Sequence, residues 1–214
     1  MNTKKLLALD LKWKKLIKLA DFFRFIPFID FVAATGSMAV GNVNENSDFD
    51  VLISVRRGRI FTARYMVNFF FSIIHGRRLD DVEGSSPDKL CFNHFITENT
   101  WELKPLNSYS NEIYKNMVPL WGDEEKIKNF LNKNSAYGDS MEKLTEDLRF
   151  NSKNKSFIAK LIEFFLKNLL GDFLENKIIG PISKKRLERY LASKSKGGRV
   201  IVTGEELEFH FNPK

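Results

Sequence analysis

Residues 34–53 read Ala34-Thr35-Gly36-Ser37-Met38-Ala39-Val40-Gly41-Asn42-Val43-Asn44-Glu45-Asn46-Ser47-Asp48-Phe49-Asp50-Val51-Leu52-Ile53. The apolar run just before, Phe28-Ile29-Asp30-Phe31-Val32-Ala33, is predicted to be a buried strand. Gly36-Ser37 breaks that strand, a short polar helix or turn follows, and a second strand begins near Asp48. Residues two apart in a strand share a face. Asp48 and Asp50 therefore point the same way, while Phe49 and Val51 point into the core. Two carboxylates side by side repel unless a cation lies between them. Hard divalent ions such as Mg²⁺ take oxygen ligands, commonly one or two carboxylates together with substrate phosphates. Glycine at position 36 lets a phosphate approach the backbone, the amides beyond it point at that phosphate, and Ser37 adds a hydroxyl.

Gly36-Ser37, ten intervening residues, then Asp48-Phe49-Asp50-Val51 resembles the signature of the DNA polymerase beta-like nucleotidyltransferase superfamily. Thr35 stands where that signature usually has an apolar residue. The likeness is closest over Phe28–Ile53 and extends more softly to about Asn134, where the chain is similar to small bacterial nucleotidyltransferase-domain proteins. The resemblance implies an α+β fold, a mixed sheet flanked by helices. It also implies transfer of a nucleoside monophosphate from an NTP to an acceptor hydroxyl with two Mg²⁺ ions. Asp48 and Asp50 would be the catalytic metal ligands. Gly36 and Ser37 would hold the triphosphate. The bland reading of the same residues is a hairpin whose two acids merely face solvent.

A third strand is expected over Leu90–Thr97, where the family carries a third carboxylate. That place holds Asn93, within Phe92-Asn93-His94-Phe95. Asn93 is expected to complete the metal set with Asp48 and Asp50, offering a carbonyl oxygen but no charge. Asp88, Glu98 and His94 are the substitutes. Strict alternation would place Cys91, Asn93 and Phe95 on one face and Leu90, Phe92, His94 and Ile96 on the other.

Around this centre, residues 3–25 read as an amphipathic helix with Lys12, Lys14, Lys15 and Lys18 on its polar side, ended by Pro27. Such a helix either packs on a sheet or lies on a membrane surface. Ile60–His75 reads as a long buried helix stopped by Gly76. Arg59 and Arg64 are candidates for the triphosphate, Arg64 the better of the two, because guanidinium suits phosphate geometry. Residues 101–130 read as mostly helical, with a short extended piece at Val118–Gly122 and a helix starting at Asp123. A boundary is expected within Asn132–Ser140. This gives a nucleotidyltransferase-like domain over 1–134 and a C-terminal helical region with short terminal strands over 135–214. The wide apolar stripe of Ser156–Glu175 suggests a helix buried on two sides or a homodimer interface.

One cysteine, Cys91, excludes an internal disulfide framework and is expected to be a small buried hydrophobe. Three scattered histidines suggest no metal cluster. No secretory signal and no uncharged apolar run of about 18 residues is visible, so a cytoplasmic protein without a transmembrane segment is the expectation. The formal net charge is +7; Lys177–Arg199 alone contributes eight basic residues against Glu188, so the rest of the chain sums to zero. Any interaction with nucleic acid or an anionic surface therefore concerns that segment. Three functional readings follow. The first is a nucleotidyltransferase acting on a protein, a small molecule or an RNA end. The second is a degenerate fold that binds nucleotide or a partner without turnover. The third is a nucleic-acid or anionic-surface binder acting through residues 177–199.

Overall fold

A computed structural model describes residues 3–77, 86–104, 108–135, 147, 149–151, 154–192 and 198–211. Part of the expected loop before the third strand, most of the expected boundary 132–140 and the start of 141–175 lie outside these residues. The helix α1 (Thr3–Ala20) leads through a short 3-10 turn (Asp21–Phe25) into β1 (Ile29–Ala34). A single turn of helix, α2 (Gly36–Ala39), and a loop precede β2 (Phe49–Val55), which is followed by α3 (Ile60–Ile73) and β3 (Leu90–Ile96). Then come α4 (Ser108–Lys115), β4 (Val118–Gly122) and α5 (Glu124–Lys133). The C-terminal part holds α6 (Phe157–Leu166), α7 (Leu169–Phe173), a wide π turn (Leu174–Ile179), α8 (Gly180–Ala192) and the strands β5 (Gly198–Val202) and β6 (Glu206–Phe211).

The six strands form one mixed sheet in the order β4-β1-β2-β3-β6-β5. β1 runs antiparallel to β2 and β4, β2 parallel to β3, and β6 antiparallel to β3 and β5. The fold is α+β. Both faces of β2 are covered, which explains the apolar run Val51-Leu52-Ile53 at its centre. Val51, Ile53 and Val55 join Leu16, Phe23, Val67 and Phe71 in a core under α1 and α3. Leu52 joins Phe31, Ile96, Trp101, Ile127 and Phe130 in a second core on the other face. Ser54, a buried polar side chain on that face, accepts a hydrogen bond from Trp101 Nε1 at 2.8 Å.

The short extended piece expected within residues 101–130 is present with the expected bounds. Val118–Gly122 is the edge strand β4, paired with β1, and it separates α4 from α5. β5 and β6 extend the same sheet beyond β3, so strands from both sides of the expected boundary at residue 134 share one sheet.

Ser156–Glu175 is not one helix. It breaks at Lys167–Asn168 into α6 and α7, and most of its apolar side chains face outward. Two acids of this segment, Glu163 and Glu175, turn inward and hold it to the sheet domain. Glu163 accepts from the Phe28 amide at 2.6 Å and from Arg56 at 3.0 Å, and it pairs with Lys155. Burial raises its pKa, but the hydrogen bond and charge of Lys155 outweigh that and hold it below the usual carboxylate range. Glu175 is buried and accepts from the amides of Phe61 and Thr62, at 2.8 and 2.9 Å, and from the Thr62 hydroxyl. These amides belong to the first turn of α3, where no carbonyl within the helix can serve them. Glu175 thus caps α3 from more than a hundred residues away. No helix among the described residues is long and apolar enough to cross a membrane.

Replacing Glu175 by alanine leaves two buried amides and a hydroxyl without an acceptor. The expected loss is about 3 kcal/mol of unfolding free energy, measured by urea titration followed by circular dichroism. Glu175→Gln keeps one acceptor oxygen and should lose less.

Candidate active site

The site lies where β1 ends and β2 begins. The Thr35 amide donates to the Asp50 carbonyl at 2.9 Å, which sets the backbone of the glycine turn against the second strand. Gly36 has φ of +58°, and a β-carbon built on it would stand 2.2 Å from Asp50 Oδ2. Two independent reasons therefore demand glycine: left-handed backbone, and the space filled by a carboxylate. Ser37 follows in α2, half-buried.

Oxygen atoms of Asp48 and Asp50 and the sulfur of Cys91 all lie within 4.8 Å of one another. The carboxylates converge as two residues apart on one strand face should. Asp50 pairs with Cys91 across the parallel β2–β3 ladder, which brings the thiol to the same height. Asn93 Nδ2 donates to Asp50 Oδ1 at 3.1 Å. Asp48, Asp50 and Asn93 are thus brought together, beside Gly36. Two carboxylates and an amide are hard donors and fit Mg²⁺, the amide by turning its oxygen inward. The thiol is a softer neighbour, better suited to other ions.

Cys91 was expected only as a buried filler. It is half-exposed in this group, and its place two residues before Asn93 on the expected strand was the available signal. His94 corrects the expected alternation. Between Asp50↔Cys91 and Leu52↔His94 the ladder shifts by one residue on β3. This bulge changes the phase of the strand. After it, His94 and Ile96 share the face of Asp50 and Leu52, and Phe95 joins the core under α3.

The other substitutes for a third acid go elsewhere. Asp88 binds Lys12 at 2.9 Å and also pairs with Lys15. Burial raises its pKa, yet the two lysine hydrogen bonds prevail and lower it overall. Lys12 was expected on the polar side of α1. It is instead buried, and its ammonium donates to Ser47 O at 2.8 Å and Glu45 O at 3.3 Å. It thereby fastens the loop that delivers Asp48. Glu98 sits in a turn beyond the far end of β3.

The two arginines are not brought to the carboxylates. Arg64 lies on α3 with its guanidinium 5.2 Å from the centroid of the Phe209 ring, against the opposite face of the sheet. Arg59 is buried, donates to Leu166 O at 3.0 Å and pairs with Asp172 at 2.6 Å. Burying a guanidinium demands such partners, and these bind Arg59 to α6–α7 rather than to a phosphate.

A second group of His94, Glu206 and Glu208 also has ligand atoms within 4.8 Å. There the cation is Arg199, whose Nε lies 2.6 Å from Glu208 Oε2, and His94 Nε2 is 3.1 Å from Glu206. Burial pushes the Glu208 carboxyl up. For Glu206 burial raises the pKa, but the His94 hydrogen bond and neighbouring positive charge bring it down overall. The network joins the C-terminal hairpin to β3.

The model of the nucleotidyltransferase domain family matches residues 16–169, which includes every residue of the Gly36–Asp50–Asn93 group. The chain belongs to this family. A solved structure described as the crystal structure of a toxin-antitoxin with AMP-PNP is also similar, at 17% identity, 63% coverage of this chain, 94% coverage of that chain and a TM-score of 0.33. No curated protein matches the chain.

Gly36→Ala tests the glycine turn. The added methyl meets Asp50 and the backbone is strained, so stability should fall by about 2 kcal/mol. Mg²⁺-dependent nucleotide affinity, read by calorimetry, should fall at least tenfold, whereas Ser37→Ala should leave thermal stability nearly unchanged.

Proposed function

We propose that this protein moves a nucleoside monophosphate from an NTP to an acceptor hydroxyl. The observation that carries the reading is the convergence of Asp48 and Asp50 directly beside the Gly36 turn. Family membership supports it. Mg²⁺, held by Asp48 and Asp50 with Asn93 beside them, would supply Lewis-acid stabilisation of charge on the attacking and leaving oxygens.

The chain's own residues have separate parts. Asp48 and Asp50 would present two carboxylates side by side to a cation. Gly36, whose side-chain space Asp50 fills, would offer backbone N–H groups of its turn to a triphosphate. Ser37 offers a hydroxyl to a phosphate oxygen. Asn93 fixes the rotamer of Asp50 through its amide and brings no charge of its own. Lys12 holds the Glu45–Ser47 loop, and so the position of Asp48, from beneath. Arg64, placed on α3, would need a movement of that helix to touch a nucleotide, so phosphate binding is assigned to Gly36 and Ser37 first.

A second reading rests on one specific observation. Asn93 occupies the register position from which β3 can reach Asp50, and no third carboxylate joins the group among the described residues. Two acids balance the charge of two divalent ions poorly, so one ion should bind weakly before substrate arrives. A protein of that kind binds nucleotide and turns it over slowly or not at all. The acceptor in the enzyme reading is a protein side chain, a small molecule or an RNA end.

Pyrophosphate release from each NTP with Mg²⁺, with the protein alone and with lysate components present, tests the enzyme reading. Asp50→Asn should abolish Mg²⁺-dependent NTP binding and pyrophosphate release without loss of fold, because removing like-charge repulsion does not harm stability. Unchanged nucleotide binding in that variant would place the site elsewhere. Asn93→Asp should tighten Mg²⁺ binding severalfold. Tightened metal without any pyrophosphate release would favour the binding-module reading.

A further inference from the structure

The surface built by α6 and α7 divides its residues sharply by charge. Glu163 of α6 and Glu175 of the π turn after α7 are turned inward onto the amides of Phe28, Phe61 and Thr62. The large apolar side chains of the surface are turned out. Leu169 is 84% exposed and Phe157 78%, and Leu161, Phe164, Phe165 and Phe173 are exposed with them. Taking about 200 Å² for each such side chain, these six present roughly 700 Å² of apolar surface, more than the largest patch of a typical monomer, about 300–600 Å².

Cations are set into this patch and continue beyond it. Lys160 is exposed on α6 and Lys167 at the break between α6 and α7, and the Lys167 ammonium lies 4.9 Å from the centroid of the Phe164 ring. Lys177, Lys184, Lys185, Arg186 and Arg189 follow, all exposed. The exposed acids of residues 157–189 are Asp172, already paired with Arg59, and Glu188. Phenylalanine and leucine interleaved with lysine, next to a strongly basic helix, is the chemistry of an interfacial element. The apolar groups enter the acyl boundary while the ammonium groups reach anionic headgroups.

We propose that the α6–α8 face docks on the surface of an anionic lipid bilayer, without crossing it. Charge decides against a second copy of the chain. A two-fold contact presents the same patch twice, so two sets of Lys160, Lys167 and the basic charges of α8 would share one interface, while the exposed acid of α6–α7, Asp172, is already paired with Arg59. An anionic membrane meets both components at once. The docking face packs against the α3 side of the sheet, and Asp50 projects from the other side. The nucleotide site therefore stays open to the aqueous phase in the docked protein. The proposal stands independently of the nucleotidyltransferase reading.

The test is flotation of the full chain with vesicles of phosphatidylcholine alone and with vesicles in which about a third of the lipid is phosphatidylglycerol. The expected result is recovery with the anionic vesicles only, weakened at high salt. The double variant F164E/L169E should lose that recovery at least tenfold, and K184E/K185E severalfold. Both pairs are exposed, and an unchanged far-UV spectrum and thermal midpoint confirm that each variant is folded. Failure of the wild-type chain to float with either vesicle overturns the proposal. So does wild-type recovery that the folded F164E/L169E variant retains. A dimer seen by light scattering that F164E/L169E separates, with no flotation, assigns the face to a second copy. Single-stranded RNA binding that K184E/K185E removes, with no flotation, assigns the basic segment to nucleic acid.

Discussion

A carboxylate oxygen occupying the space where the β-carbon of residue 36 would stand is the constraint on which this site depends. Asp50 can lie against the end of β1 only because Gly36 has no side chain and accepts a left-handed backbone. The hydrogen bond from Thr35 to the Asp50 carbonyl keeps the two strands in that register. Asp48 is then obliged to share the face of Asp50, which sets the two carboxylates side by side. The sheet behind them, closed by apolar side chains on both faces of β2, provides the rigid support that such an arrangement requires.

Much of this was legible in the chain because its signals are local. The apolar run through Val32, the break at Gly36 and the alternation Asp48-Phe49-Asp50-Val51 are readable over some twenty residues. The placing of β3 beside β2 came from the family resemblance. The bulge that turns His94 toward the site face carries no glycine or proline to announce it. Arg59 and Lys12 were read as surface or phosphate-facing cations, since single-residue charge tells nothing of the carbonyls waiting for it. Those carbonyls come from Leu166 in one case and Ser47 in the other, distant in sequence from the residue they bind. The inward turn of Glu163 and Glu175 escaped for the same reason. Their amide partners lie on β1's approach and on α3.

This partition of charge explains why a segment with so apolar a sequence is held in place without being buried. α6 and α7 are attached chiefly through ion pairs and amide–carboxylate hydrogen bonds made by Glu163, Glu175 and Arg59. In most small domains a helix is secured by its apolar stripe. Here the polar residues share that work with Ala159 and Leu166, and the outer apolar face is left available.

The C-terminal hairpin has a consequence for how the molecule is made. Until β6 arrives, β3 has only β2 as a neighbour, and its other side is an exposed sheet edge with unsatisfied amides and carbonyls. Its partner lies far along the chain: His94 and Glu206 are 112 residues apart. Closing so long a loop is entropically unfavourable and slow compared with local pairing. The strand that carries Asn93 is thus the last in the sheet to be protected on both sides. For that interval the nascent chain offers strangers the same ladder that it later gives to its own tail.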